Sequence, residues 1–422
     1  MKILVVGGGG REHTIVWKIA QSPKADKIYC APGNGGIASL AECVDISATD
    51  VEGIVKFAKE KEIDLVMVAP DDPLVMGMVD ALEKEGIRAF GPRANAAIIE
   101  GSKVFSKELM KKYNIPTAGY EVFTESAKAI EYLKEQNSYP AVIKAEGLAL
   151  GKGVIIAQNE EEAVNGIKEI MEDKKFGDSG NRVVIEEFLT GPEVSVLAFT
   201  DGKTVKPMVS AQDHTRAYDN DKGLNTGGMG TFSPSRLYDE AKAEECMNNI
   251  FLPTIKAMSA EGRPFKGVLY FGLMMTENGV KVIEYNCRFG DPETQVVLPR
   301  LKTDLVDIME AVIDERLDEI NIEWEDNAAV CVVMASGGYP VSYKKGYEIS
   351  GIADAEAMDD MIVFHAGTKV SDGKILTNGG RVLGVTAVAE NLDAAIKRAY
   401  EGVSKISWTD EFHRSDIGIK KY

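Results

Sequence analysis

The stretch Val282-Ile283-Glu284-Tyr285-Asn286-Cys287-Arg288-Phe289-Gly290-Asp291-Pro292-Glu293 decides how the rest of the chain is read. It begins as a strand. Side chains on a strand repeat every two residues, so Glu284 and Asn286 face the same way. The strand runs into a turn that holds Arg288, Asp291 and Glu293. Two hard oxygen ligands at this spacing suit Mg²⁺, which keeps its remaining positions for water and substrate phosphates. Arg288 offers a planar fork for a carboxylate or phosphate beside that metal. Taken alone, the E-x-N spacing also fits an ordinary amphipathic strand followed by a charged turn.

Composition narrows the choice. A chain of 422 residues is too long for one core and is expected to hold about three domains. Hydrophobic residues make up 45% and charged residues 27%, the balance of a water-soluble globular protein. With 48 basic against 66 acidic side chains the net charge is −18, which disfavours nucleic acid as a partner. A small anionic substrate must then be gathered by local basic groups. Cys30, Cys43, Cys246, Cys287 and Cys331 show no C-x-x-C spacing, so neither a zinc site nor a disulfide framework is expected, and a reducing cytoplasm is the simplest home. Cys287 has no histidine near it in sequence and reads as a packed neighbour. Met1-Lys2-Ile3-Leu4-Val5-Val6 runs straight into glycines rather than a signal segment, and no apolar run approaches a membrane span.

Taken in order, the apolar residues 2–6 end at Gly7-Gly8-Gly9-Gly10, and an amphipathic helix follows. Strand, glycine turn and helix open a doubly wound α/β domain, with backbone N–H groups aimed at an anion. The third glycine of a dinucleotide fingerprint would fall on Glu12 or His13, so a phosphate on a small sugar fits better than NAD; a purely structural turn stays open. Helix 51–61, strand 63–69, helix 73–85 and strand 87–90 repeat the unit and predict a parallel sheet. Pro70-Asp71-Asp72-Pro73 falls at the carboxyl end of its strand, where such sheets place ligands.

A smaller unit spans 120–189. Its loop Lys144-Ala145-Glu146-Gly147-Leu148-Ala149-Leu150-Gly151-Lys152-Gly153 puts two lysines on a glycine-punctuated hairpin, as a lid over a triphosphate requires, although the spacing is not that of a Walker A loop. The strand ending in Glu186-Glu187-Phe188-Leu189 can meet an adenine edge through its main chain, with Glu193 beyond the turn placed for ribose hydroxyls. Strands 194–200 and 204–211, helix 239–260 and strands 267–275 and 280–286 lead back to the metal candidates. Helix 302–315 closes this region. From about residue 328 the pattern changes to short strands (328–335, 362–365, 381–388) and a helix at 391–405, with turns at 337–340 and 377–381.

With these pieces laid out, the whole chain resembles the glycinamide ribonucleotide synthetase (phosphoribosylamine–glycine ligase) family of ATP-grasp enzymes. The likeness rests on G-G-G-G-R-E-H at 7–13, P-G-N-G-G at 32–36, E-G-S-K-x-F-x-K at 100–107, Y-P-x-V-I-K-A-E-G-L-A-x-G-K-G-V at 139–154, Q-D-H-x-R at 212–216, N-T-G-G-M-G at 225–230, E-x-N-C-R-F-G-D-P-E-T-Q at 284–295 and T-N-G-G-R-V-L at 377–383. The resemblance implies an N-terminal doubly wound domain (1–100), an ATP-grasp domain (101–325) with a lid subdomain (120–189), and a mixed β-rich C-terminal domain (326–422). It implies a ligase of purine biosynthesis that uses ATP to join glycine to 5-phosphoribosylamine through glycyl phosphate, with Mg²⁺ or Mn²⁺. It is expected to work in the cytoplasm as a monomer on small molecules, without nucleic acid or membrane.

Carried over by resemblance, Lys103, Lys144, Gly151 and Lys152 meet ATP phosphates, Glu186, Glu187 and Leu189 frame adenine, and Glu193 holds ribose. Glu284 and Asn286 bind metal. Arg288, Asp291 and Lys144 form the catalytic set, while Gly9, Gly10, Arg11, Asn34, Gly35, Asp213 and Arg288 hold substrate. The chain departs from the family pattern at Asp71, Glu146, Leu150 and Thr215, and Gly272-Leu273-Met274-Met275 supplies no further acid beside the E-x-N strand. Two rivals remain: another ATP-grasp carboxylate–amine ligase, and a nucleotide-binding module that uses only the first glycine turn.

Overall fold

Apolar, β-branched runs separated by amphipathic helices build the expected parallel sheet at the start of the chain. The computed structural model describes residues 1–149 and 152–419. Strands Lys2–Gly7, Lys27–Pro32 and Leu65–Val68, flanked by the short pairs Glu42–Cys43 and Ala89–Phe90, lie side by side with the first strand central. Strand order reverses between Lys2–Gly7 and Leu65–Val68, so the crevice at their carboxyl ends is where an open α/β sheet takes its ligand. Gly7 leaves the strand at φ +127°, and a Cβ there would meet the Glu12 side chain at 2.2 Å, so the turn requires glycine. The expected helix 73–85 is two helices, Asp71–Val75 and Met78–Lys84, because Gly77 takes a left-handed conformation between them.

Helices Ala94–Gly101 and Lys103–Lys112 follow, broken at Ser102, whose hydroxyl accepts from the Phe105 amide at 3.1 Å and caps the second. Two antiparallel sheets then face each other. The lid sheet orders Tyr120–Phe123, Val183–Glu187, Ala141–Ala145 and Val154–Ala157, and has its own core around Ile143, Ile167 and Ile185. The larger sheet orders Val205–Pro207, Glu193–Asp201, Lys266–Thr276 and Gly279–Asn286. Its Phe271 ring is fully buried, 4.6 Å from that of Phe251 and 5.6 Å from that of Tyr285. The expected strand 204–211 stops at Pro207, and helix 239–260 passes through a π-helical turn at Met247–Phe251.

The last sheet orders Gln212–Asp213, Gly230–Ser233, Ala328–Ala335, Arg381–Ala389 and Met361–His365, with helix Leu392–Val403 against it. Two of these strands come from the middle of the chain. A hairpin, Thr368–Ser371 with Lys374–Thr377, was not expected from the sequence. Among the described residues no helix is long and apolar enough to cross a membrane.

The first and last regions meet through two buried histidines. The His365 amide donates to His13 Nδ1 at 2.7 Å, and His365 Nδ1 lies 3.0 Å from Thr368 Oγ1. Burial, and then the neighbouring His365, lowers the His13 pKa to about 3; burial lowers that of His365 to about 4. The unfolded chain therefore binds protons below pH 6.5 that the folded chain refuses, so stability present above pH 6.5 is lost as the pH falls. In urea titrations, His13→Asn, which keeps an acceptor for the His365 amide, should lose less stability than wild type between pH 7 and pH 4.5.

Candidate active site

The lid sheet and the larger antiparallel sheet enclose a cavity of about 380 Å³. One wall is apolar, with Met110, Val142, Ile156 and Met274 offering a surface for a flat ring. Lys144, at the end of its strand, points at Glu186: Nζ lies 3.1 Å from Oε1 and donates to the Ile283 carbonyl at 3.3 Å. Lys107 approaches the other oxygen of Glu186 at 3.5 Å and donates to Thr117 Oγ1 at 2.7 Å. All three side chains are at most 6% exposed. Burial lowers the Lys107 pKa to about 8 against the pull of Glu186. Two ammonium groups on one carboxylate leave an excess positive charge facing the cavity, ready for an anion.

The Glu186 carboxylate is the shared counterion of these lysines, and the residue lines the cavity. Glu187 accepts from the Gly119 amide at 3.1 Å, and Glu187, Leu189 and Glu193 all line the cavity. Lys103 lines it too and donates to the Gly147 carbonyl at 3.1 Å. Lys152 is exposed and lies outside the lining, and Gly151 lies outside the described residues. Glu146, a departure from the family pattern, accepts from Ser102 Oγ at 2.9 Å and pairs with Arg182, fastening the lid hairpin.

Glu284 and Asn286 reach the cavity from the strand Gly279–Asn286. Gly272 sits opposite Glu284, and a Cβ there would stand 3.2 Å from Glu284 Cγ. Burial, then Glu284, raises the Glu193 carboxyl above its ordinary range. That clustering of negative charge suits a cation. Among the described residues no group of three or more acids, cysteines or histidines is poised to hold a metal, so an ion here would depend on these oxygens and on substrate phosphate.

Beyond Asn286 the chain makes a buried ionic turn. The Cys287 amide donates to Glu100 Oε1 at 2.7 Å, and Arg288 Nε lies 3.8 Å from the same oxygen. Burial pushes the Glu100 carboxyl up to about 7; Arg288 opposes this and Asp71, hydrogen-bonded to it, adds to it. Asp291 accepts from the Arg11 amide at 3.2 Å and from Gln295 Nε2 at 2.8 Å. Burial raises the Asp291 carboxyl, but Arg381 and Arg11 more than offset it and leave it below the ordinary range. Asp213 and Glu293 line the same cavity, both pushed up, by burial first; Asp213 is raised further by the charge of Glu293.

A second cavity, of about 390 Å³, opens on the other side of Asp291. Gly8, Gly9, Gly33 and Gly367 give it bare backbone, and Asn34 lines it. Asn34 is held at both ends: Nδ2 donates to the Gly8 and His365 carbonyls at 3.0 and 2.8 Å, and Oδ1 accepts from the Gly36 and Ile37 amides. The Gly35 amide donates to Thr368 Oγ1 at 3.1 Å. Gly10 does not open onto this space; a Cβ would stand 2.5 Å from Gln295 Nε2, so its small size serves packing. The Arg11 side chain is likewise turned inward, to Glu12 at 3.1 Å and the Phe289 carbonyl at 3.0 Å.

Sequence reading overlooked Glu100, Lys107 and Arg381 as site residues. Lys107 had a signal: it lies one helical turn after Lys103, on the same face. Removing the shared counterion should leave two buried ammonium groups unpaired, so Glu186→Gln is expected to lower unfolding free energy by about 3–5 kcal/mol in denaturant titration.

Family models match the three parts of the chain: phosphoribosylglycinamide synthetase N domain at residues 1–100, its ATP-grasp (A) domain at 101–294 and its C domain at 329–420. A phosphoribosylamine–glycine ligase from Halalkalibacterium halodurans is 52% identical over 420 residues, covering 100% of this chain and 97% of its own. The crystal structure of the phosphoribosylamine–glycine ligase from Thermotoga maritima superposes with a TM-score of 0.87 at 33% identity, covering 99% of this chain and 100% of that one. A biotin carboxylase domain from Hydrogenobacter thermophilus, determined with MgADP, shares the fold at a TM-score of 0.74 and 16% identity, over 98% of this chain and 91% of that one. The chain belongs to the phosphoribosylglycinamide synthetase family.

Proposed function

We propose that this chain joins glycine to 5-phosphoribosylamine, converting ATP to ADP and phosphate, as a step of purine biosynthesis. The observation that carries the reading is the position of Asp291, which lines both the nucleotide-sized cavity and the glycine-lined one. A reaction in two stages needs that adjacency. In the first, a glycine carboxylate oxygen attacks the γ-phosphorus, the bond to the β-phosphate oxygen breaks, and ADP leaves with the electron pair. In the second, the sugar amine attacks the acyl carbon, the C–N bond forms as the bond to phosphate breaks, and the departing phosphate takes the amine proton.

The protein's share is positioning and charge. Lys103 and Lys144 hold ATP phosphates, with Lys107 sustaining the field behind them. The apolar wall and the main chain near Leu189 take adenine, and Glu193 takes ribose. Glu284 and Asn286 hold Mg²⁺ or Mn²⁺, which supplies neutralisation of phosphate charge when bound. Arg288, fixed by Glu100, receives the glycine carboxylate, and the paired acids Asp213 and Glu293 receive amino groups. Gly9, Asn34 and their neighbours cradle the phosphosugar. Action as a monomer in the cytoplasm belongs to this reading, and ATP as substrate fits the cytoplasm. The division into units 1–100, 101–325 with a lid at 120–189, and 326–422 is supported by the separate sheets, although Gln212–Asp213 and Gly230–Ser233 cross into the third.

The test is ADP release with Mg²⁺ and ATP, supplying glycine and freshly generated phosphoribosylamine together and then omitting each. Release that requires both is expected; release with a different acid and amine would replace the substrate assignment. Glu284→Ala should keep its fold by circular dichroism and lose turnover on the order of 100-fold or more. Wild-type turnover in that variant would remove the metal assignment.

A further inference from the structure

Arg381, the first residue of strand Arg381–Ala389, stands where the two cavities meet. Its Nη1 donates to the Gly227 carbonyl at 2.8 Å and the Asp291 carbonyl at 3.1 Å, lies 3.4 Å from the Gly228 carbonyl, and approaches Asp291 Oδ1 at 3.8 Å. The guanidinium lies flat over Gly227: a Cβ on that residue would stand 2.9 Å from Cζ, 3.0 Å from Nη2 and 3.2 Å from Nη1. Tyr339 takes the other side of the same loop, accepting from the Gly227 amide at 3.1 Å.

That loop belongs to the nucleotide side. Asn225, Thr226 and Gly227 line the first cavity, whereas Arg381 and Tyr339 line the second. Arg381 is 24% exposed and is the only cationic side chain among the described residues lining the glycine-rich cavity. Its Nε and Nη2 donate to no acceptor among the described residues. One edge of the guanidinium therefore holds the nucleotide-side loop and the Asp291 turn, and the rest is presented to whatever occupies the second cavity.

We propose that Arg381 is a positioning residue for amide formation, holding the 225–228 loop and the Asp291 turn in register with the phosphosugar cavity so that the amine meets the acyl carbon. This rests on the reaction assigned above. An error of about 1 Å in such an alignment costs a bimolecular step on the order of 100-fold. A lysine can reach some of these carbonyls but cannot hold several of them and keep a free planar edge.

Initial rates with phosphoribosylamine generated in situ, each substrate varied in turn, test this for wild type, Arg381→Met and Arg381→Lys, alongside Mg·ATP affinity by calorimetry. Arg381→Met should lower kcat/KM for phosphoribosylamine about 100-fold while KM and Kd for ATP stay within about twofold, and Arg381→Lys should recover roughly a tenth of the lost activity. A loss shared equally between ATP and the sugar amine would mark Arg381 as merely structural and overturn the proposal, as would an unchanged Arg381→Met. Unchanged Arg381→Met beside an active wild type would leave the reaction standing. A wild type inactive with these substrates would overturn the reaction and this inference together.

Discussion

Charges buried in protein survive only when they are paired, and the turn at 287–293 carries three ionisable side chains into the interior of this molecule. Arg288 and Asp291 are met by partners from elsewhere in the chain, while Glu293 is held with its carboxyl pushed up by burial. Arg288 is met by Glu100, which in turn holds Asp71. Asp291 is met by the amide at the start of the first helix and by Arg381 from the last sheet. The N-terminal sheet, the helices around residue 100 and the C-terminal sheet are thereby drawn to the same few ångströms. Breaking any one pair strands the other charge, so the assembly of the three regions and the integrity of the turn depend on each other.

The same arrangement explains how the site can work without a covalent nucleophile. Donors and charges already fixed in place need not reorganise as charge moves. Lys144 and Lys107 are held by one carboxylate, so the cavity keeps a positive surplus for phosphate while its lysines stay in place. Asp213 and Glu293 form the opposite field, two acids whose burial resists ionisation until a cationic partner arrives. Both fields line the cavity that Arg288 and Asp291 also line.

Local patterns were readable in the sequence wherever the physics was local. Period-two alternation put Glu284 and Asn286 on one face, and glycine punctuation marked the turn at 7–10. Partners distant in the chain left no such mark: Glu100 meets Cys287 across 187 residues, and Arg381 meets Asp291 across 90. The ion pairs of Glu186 with Lys107 and Lys144 likewise join positions distant in the chain and left no local mark. Gly10 was read as part of the substrate cradle, and nothing local showed that its smallness also admits Gln295. The strand Gly230–Ser233 escaped notice because a short run becomes a strand only once Ala328–Ala335 is beside it.

In the proposed reaction glycine's carboxylate is activated by phosphoryl transfer before the amine arrives across the Asp291 turn. Turnover of glycine labelled with ¹⁸O in both carboxylate oxygens, with the released phosphate examined by mass spectrometry, tests it most directly. An acyl phosphate pathway delivers one labelled oxygen to each phosphate and leaves the other in the amide. Phosphate released without label would contradict the account, because ATP would then be cleaved by water rather than by the carboxylate.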